Sequence, residues 1–479
     1  MGKSVAVMGA GPAGIVCARY LLAQGFEPVV FESHSTIGGQ WNCHNPASGV
    51  WLGMRTNTPR MLTRFSDLDY PEHVSLYPRH DEVLDYLQRY ADLFGVTPTV
   101  ICNARVVEVA ARGGDYIVEW SRNGVREQGC FSHVVLAGGR FNTPLRPAID
   151  RSQKTSMSLD DIHAHQYQGV GDYRGKRVVI AGGNISALEI ASEMAMGGAA
   201  SVVTAMRRQR YVFPKLIAGV PIESIRMTRG NALWRELASQ ADIAEADAAF
   251  LRTYIGNPAR FGARMPDPDI RQAGATGSLY FLGLVAEGRI DCRPWIHRID
   301  GQCIRFSDHS STHADALILC TGYALDLPFL NPELAVKAGY RDGRLALPDV
   351  TFPPASPGLA FAGYWQQVGA YFPALEQQAR YIAYQWAGRI ADSQVVGAGA
   401  HPRSAEPEVH LQHELTIRLG RYAGVDPKGR VTAAMERTLN QSAVTGLMFR
   451  IAGVDALPNA FENLLDEMRR YGPDMPIIS

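Results

Sequence analysis

No two cysteines in this 479-residue chain are spaced C-x-x-C, and the seven that occur (Cys17, Cys43, Cys102, Cys130, Cys292, Cys303, Cys320) are odd in number. A disulfide framework and a cysteine zinc site are therefore not expected. The same gap counts against a disulfide reductase, whose chemistry needs an adjacent redox pair. Cys17 and Cys320 lie within apolar runs and read as small core residues. Net charge is also missing: 47 basic residues balance 47 acidic ones. Without a concentrated positive field, neither nucleic acid nor an acidic membrane is indicated as a partner. No uncharged apolar stretch reaches the roughly 18 residues a spanning helix requires. No apolar leader is expected ahead of the first strand, and Ala6 stands where a myristoylation signal would want Ser or Thr. The chain reads as a cytoplasmic protein, with no metal site expected.

Glycine, by contrast, is plentiful, at 47 residues of 479, above the usual ~7%. Such an excess suits a chain whose backbone approaches phosphates more than once. The run Lys3-Ser4-Val5-Ala6-Val7-Met8 reads as a buried parallel strand. It leads into Gly9-Ala10-Gly11-Pro12-Ala13-Gly14, then a helix from Ile15 to Gln24 stopped by Gly25, then a strand Pro28–Phe31 ending at Glu32. Gly9 permits the tight turn, Gly11 lets backbone meet a pyrophosphate, and Gly14 lets helix and strand pack closely. The helix N-terminus adds free N–H groups and a positive dipole end. Glu32 stands where an acid accepts hydrogen bonds from ribose hydroxyls.

A second unit repeats the plan. Lys176–Ile180 reads as a strand, Ala181-Gly182-Gly183-Asn184-Ile185-Ser186-Ala187 as the turn, and Leu188–Met194 as the helix. After the next strand, Ala200–Thr204, come Arg207 and Arg208 where the first unit carries an acid. Arginine there suits the 2′-phosphate of NADPH through a charge-assisted fork. Asn184 replaces the second glycine and Ala187 the third. Asn tolerates unusual backbone angles and Ala is nearly as small, so the turn stays feasible. The order of acid and arginines predicts FAD on the first unit and NADPH on the second. The fold class is α/β, with two Rossmann-like dinucleotide-binding domains. Residues 1–150 and 321–479 form the FAD domain, and 151–320 form an inserted NADPH domain.

Further segments occur in a telling order: Ile37-Gly38-Gly39-Gln40-Trp41, Met54-Arg55-Thr56-Asn57-Thr58-Pro59, Phe65-Ser66-Asp67, Val134–Gly139, Leu317–Tyr323 and Gly369–Arg380. Together they resemble the class B flavin-containing monooxygenases over roughly residues 3 to 390. That family's fingerprint, F-x-G-x-x-x-H-x-x-x-(F/Y/W), appears as Met157, Leu159, His163 and Tyr167: the His and the aromatic are in place, the Phe and Gly are not. The resemblance implies that NADPH reduces FAD, that dioxygen adds to give a C4a-hydroperoxide, and that its distal oxygen passes to a nucleophilic nitrogen or sulfur of a small molecule. A Baeyer–Villiger oxygenase and an NADPH oxidase releasing hydrogen peroxide are the alternatives. No general-base triad is expected, because the cofactor carries the hard chemistry.

The resemblance also assigns residues. Asn57 matches the flavin-side asparagine, an amide that donates and accepts without titrating. Gly39, Gln40 and Trp41 would contact the flavin, Gln378 would reach it from the returning domain, and Val107 would contact the adenine through its backbone. Tyr167 would belong to the NADPH side. His163 alone reads more readily as a hydrogen-bonded structural histidine. Met54, Met61, Phe65 and Trp365 could line a pocket, though aromatics are more often core. A long helix is expected near 231–255 and a loop or lid near 256–277. A loop-like stretch spans Val396–Pro402. Helices over Val431–Gln441 and Ala460–Met468 follow, the latter too charged for a membrane anchor and suited to packing on the body or a partner. A homodimer is a family-based expectation.

Overall fold

A computed structural model describes residues 3–151, 159–390 and 409–473; Met157 and Val396–Pro402 lie outside them. The chain opens with β1 (Ser4–Met8), α1 (Pro12–Ala23) and β2 (Glu27–Phe31), followed by α2 (His80–Leu93) and the short β3 (Val100–Ile101). An antiparallel meander, β4 (Ala104–Arg112), β5 (Asp115–Arg122) and β6 (Val125–Phe131), precedes β7 (His133–Leu136). The second unit contains β8 (Asp160–His163), β9 (Arg177–Ala181), α3 (Ile185–Gly197) and β10 (Ser201–Met206). Next come α4 (Arg229–Leu237), α5 (Gln240–Phe250), β11 (Asp291–Pro294) and β12 (Ala316–Leu319). The chain then supplies β13 (Leu359–Phe361), α6 (Phe372–Trp386), α7 (Gln412–Tyr422), α8 (Ala433–Gln441) and α9 (Ala460–Tyr471).

Two five-stranded parallel sheets result. One runs β13-β7-β1-β2-β3 and the other β8-β12-β9-β10-β11. Their central strands are apolar on both faces, as parallel strands covered by helices must be: Val5, Val7, Val178 and Ile180 are all buried. The chain leaves the first sheet at β7 and returns to it only at β13, so the second sheet is an insertion. Each sheet has its glycine turn at the carboxyl end of its first central strand, where open α/β sheets bind ligands.

The single helix expected over 231–255 is broken. Ala238 takes an extended backbone, and Ser239 caps a new helix, its Oγ accepting the N–H of Asp242 at 3.1 Å while Asp242 reaches back. A serine with an acid three residues on is a helix start, and it outcompetes continuation. Residues 256–277, expected as a loop or lid, carry a 3-10 turn (Pro258–Phe261), a one-turn helix (Ile270–Ala273) and a strand (Ala275–Gly277).

The tail packs on the body. Leu415, Ile417, Leu447, Met448, Phe449 and Leu464 join α1 and α6 in one core. Each such side chain contributes about 1.5–3 kcal/mol by leaving water, so the tail is an integral layer of the first domain. Buried charges accompany it: Arg380 pairs with Asp455 at 2.7 Å, and Arg450 donates to the Tyr20 hydroxyl at 2.8 Å. On α9, Glu467 pairs with Arg64, while Glu462, Asp466, Arg469 and Arg470 face water. No helix among the described residues is long and apolar enough to cross a membrane.

Candidate functional site

The first glycine turn is a backbone cradle. Gly9 has φ +101°, and a Cβ there would lie 2.7 Å from the carbonyl oxygen of Ala137, just beyond β7. A Cβ on Gly14 would overlap the Gly9 carbonyl oxygen, so helix and strand meet only through glycine. Gly11 faces Gly39, where a Cβ would fall 2.8 Å from the Gly11 Cα. No side chain caps α1, whose first turn holds Ala13, leaving its leading N–H groups for an anion. Glu32 is buried at the end of β2. Its Oε2 accepts the Ala10 N–H at 2.8 Å and its Oε1 the His34 N–H at 2.8 Å, which fixes the carboxylate beside the turn. Trp41 packs half-buried against the first core, and Gln40 Nε2 donates to the Phe141 carbonyl at 2.9 Å.

Val107 falls at a register shift between Val106 and Glu108 in the β4–β5 ladder, a bulge that leaves its backbone outside the pairing. Thr56-Asn57-Thr58 borders the inserted segment, whose Lys215 Nζ lies 3.4 Å from the Thr56 carbonyl oxygen. Thr56 is bracketed: its N–H donates to the Pro78 carbonyl at 2.8 Å and its hydroxyl to the Thr58 carbonyl at 2.8 Å. Asn57 Oδ1 is buried and has no hydrogen-bond partner. Such an orphaned acceptor calls for an occupant. An uncapped helix end, a glycine cradle, a fixed carboxylate and this amide together fit the pyrophosphate, ribose and ring of FAD.

The second turn works differently from its sequence. Gly182 has φ +153°, and a Cβ there would strike the Cys320 carbonyl at the end of β12. Asn184, expected to tolerate an unusual backbone, is extended at φ −113°; its role is to cap α3, Oδ1 accepting the Ile185 N–H at 2.9 Å. Ser186 is half-buried in the first turn, and Ala187 is fully buried where the third glycine would stand. At the end of β10, Arg207 lies over the Trp295 ring at 4.7 Å, and Arg208 Nη1 donates to the Gln272 carbonyl at 2.8 Å. Two arginines unforeseen in the sequence join them. Arg264 Nη1 donates to the Met206 carbonyl at 3.0 Å, and Arg210 lies close enough to Arg208 that burial, then that neighbour, lowers its pKa. Among the described residues none of the four has a carboxylate partner. Uncompensated arginines at this strand end suit a phosphate.

Three expected residues play other parts. Gln378 is fully buried, and its amide is bonded to protein groups. Its Oε1 accepts the Gly363 N–H at 2.9 Å, and its Nε2 donates to Val350 O, Thr351 Oγ1 and Phe361 O. Both amide hydrogens are thus used on protein, and Gln378 stitches β13 to α6. Tyr167 is wholly buried in the second core, its ring packed between Trp51 and Tyr173. His163 is buried, its Nδ1 accepting the His165 N–H at 3.1 Å and its Nε2 facing the Gly322 carbonyl at 3.1 Å. Burial lowers its pKa to about 4, which keeps it neutral. Phe65 and Met61 are core, Met54 is half-buried against the second core, and Trp365 stacks on Tyr371. Cys17 is buried, Cys320 half-buried, and all seven thiols are free.

Beside Asn57 the seam holds a charged cluster that no motif announced. Lys215 Nζ stands 3.3 Å from Glu189 Oε2 on α3 and 3.4 Å from the Thr56 carbonyl oxygen. Glu223 is buried, and desolvation pushes its carboxyl up to about 7 while Lys215 draws it back. Lone lysines and glutamates far apart in sequence carry no signal for such a cluster.

A family model for flavin-binding monooxygenase-like proteins matches residues 2–393. Dimethylaniline monooxygenase (N-oxide-forming) 2 of Rattus norvegicus is 27% identical over 413 residues, covering 81% of this chain and 73% of that protein. The structure of S-allyl-L-cysteine S-oxygenase from Allium sativum superposes with a TM-score of 0.64 at 23% identity, covering 98% of each chain. Cyclohexanone monooxygenase from Rhodococcus sp. Phi1, bound to NADP+, superposes with a TM-score of 0.63 at 15% identity, covering 89% of this chain and 98% of that one. The chain therefore belongs to the flavin-binding monooxygenase-like family, an oxidoreductase whose cofactors are FAD and NADPH.

Proposed function

We propose that this chain inserts one oxygen atom of dioxygen into a nucleophilic nitrogen or sulfur centre of a small molecule. The observation that carries the reading is the buried, unpartnered Oδ1 of Asn57 at the domain seam. An uncharged amide there can orient an oxidising group without donating a titratable proton to it. The relative named as N-oxide-forming supports nitrogen as one target. FAD, once reduced by NADPH, supplies the activation of dioxygen. What the protein does is bind and orient. Gly9, Gly11, Ala13, Gly14 and Gly39 cradle the FAD pyrophosphate, Glu32 takes the ribose hydroxyls, and the Val107 backbone meets the adenine. Gln40, Trp41 and Asn57 border the flavin ring. Gly182, Asn184, Ser186 and Ala187 form the NADPH turn, with Arg207 and Arg208 on its 2′-phosphate. Packing of the two domains against each other limits water at the reacting end.

The test is turnover of the purified holoenzyme with NADPH and isotopically labelled dioxygen on a tertiary amine, a thioether and a cyclic ketone. One labelled oxygen in an N-oxide or sulfoxide is the expected result. A labelled lactone would make the chain a Baeyer–Villiger oxygenase. Hydrogen peroxide equal to NADPH consumed, with no labelled product, would make it an oxidase.

A further inference from the structure

We propose that Lys215 is a positioning residue that ties docking of the nicotinamide nucleotide to the orientation of Asn57; the proposal rests on the reading that Asn57 borders the flavin. Lys215 itself is held firmly. Its carbonyl accepts the Tyr77 hydroxyl at 2.8 Å and the Ile222 N–H at 3.1 Å, and its ammonium lies over the Tyr77 ring at 5.5 Å. Its side chain is 7% exposed. From that position it makes two contacts that belong to different domains. One is Glu189, a single helical turn beyond the Asn184–Ser186 nucleotide turn on α3. The other is the carbonyl of Thr56, which is one half of the peptide leading into Asn57. The path from nucleotide turn to flavin-side amide is therefore four groups long and continuous.

Coupling of this kind needs an element with two arrangements, and the cluster has the parts for one. Glu189 Oε1 and Glu223 Oε2 are both buried without a hydrogen-bond partner. Lys215 touches Glu189 and also draws the Glu223 carboxyl down against its burial, so two acidic side chains share one ammonium and each has an oxygen to spare. A small shift of α3 on nucleotide docking changes which carboxylate Lys215 favours. That shift also changes the pull on the Thr56 carbonyl. Thr56 is pinned on its N–H and hydroxyl sides, so the compliant part is the Thr56–Asn57 peptide plane.

The experiment uses FAD-loaded protein as wild type, K215M, K215R, E189Q and the K215M/E189Q double variant. Each is titrated with NADP+ while the visible absorption and circular dichroism of the flavin are followed; FAD content and thermal midpoint are measured alongside. Peroxide release per NADPH is a second readout. The expected result is that K215M and E189Q keep FAD and still bind NADP+ but lose most of the NADP+-induced spectral change. They leak peroxide roughly fivefold faster or more, the low end of coupling between sites. The double variant is no worse than K215M, and K215R recovers part of the change. Full FAD with a wild-type spectral change and leak in both single variants overturns the proposal, as do effects that simply add. Should K215M fail to hold FAD, E189Q decides the matter by the same readouts. A wild type that oxygenates nothing would sink the monooxygenase reading alone, since the spectral change reports the coupling without oxygenation.

Discussion

Arg208 offers the sharpest check on the cofactor assignment. It stands at the end of β10 with Nη1 committed to the Gln272 carbonyl, which aims the rest of its guanidinium outward. Arg207 is held against Trp295, and Arg210 feels Arg208 as a nearby like charge. A dianionic 2′-phosphate would relieve that repulsion, so the cluster is built to lose something when empty and gain when filled. A charge-assisted hydrogen bond contributes about 1.5–3 kcal/mol; for a solvent-exposed arginine the lower end applies because water and salt screen the pair. One such contact, at about 1.4 kcal/mol per decade, means roughly a tenfold loss of NADPH affinity in R208A. NADH, which lacks the phosphate, loses nothing by this route. Anaerobic flavin reduction at varied NADPH and NADH gives both apparent dissociation constants, and raising the salt should compress the preference more steeply in the wild type than in R208A, which keeps Arg207. The thermal midpoint should hold, because Arg208 is exposed and its removal relieves Arg210. Equal losses for the two cofactors would mean the substitution disturbed the turn and not a phosphate contact. Wild-type affinity for NADPH in R208A would refute the assignment outright.

Gly14→Ala should yield colourless protein, since its Cβ would overlap the Gly9 carbonyl; a yellow G14A with full FAD would mean the cradle lies elsewhere. Leu464→Ala removes a buried anchor of the tail and should cost about 2–5 kcal/mol, lowering the thermal midpoint by roughly 2–5 °C at about 1 kcal/mol per degree for a chain of this length; a change under a degree would show that the tail is not integral. His163 is neutral in the fold down to about pH 4, whereas an unfolded histidine takes its proton near 6.5. Stability is therefore full above pH 6.5 and falls as pH drops toward 4, by up to about 3 kcal/mol from this residue. Denaturation of His163→Gln across that window should show a shallower slope than wild type, although His413, whose pKa burial lowers to about 3, keeps some of it. Identical slopes would contradict the burial argument.

What could be read from the chain is what is local in it. Each β-α-β unit closes within about 30 residues, and a glycine whose Cβ would strike the neighbouring strand is forced by that local geometry, so Gly9, Gly14 and Gly182 were legible. Asn184 shows the limit even there: the residue type suited the turn, but through its capping oxygen and not its backbone freedom. Asn57 and Gln378 were equally prominent as motif residues, and the structure separates them by hydrogen-bond accounting alone. Asn57 keeps a buried acceptor open, whereas Gln378 has spent both amide hydrogens on β13 and its flanking loop.

Contacts that close over long sequence separations left no local trace. Lys215 meets Thr56 across 159 residues, and Arg450 reaches Tyr20 across 430. No period or spacing encodes such pairs, because each partner is an ordinary polar residue in its own segment. Their placement follows from how the tail and the inserted domain dock. Once Leu464 and Phe449 bury against α1 and α6, Arg450 and Arg380 are carried into the interior and must find Asp455 and Tyr20 there. Buried charges held this way add little net stability, but removing one partner strands the other. The two nucleotide turns are therefore written in short motifs, while the charges at the seam between them are isolated in sequence and only the folded chain brings them together.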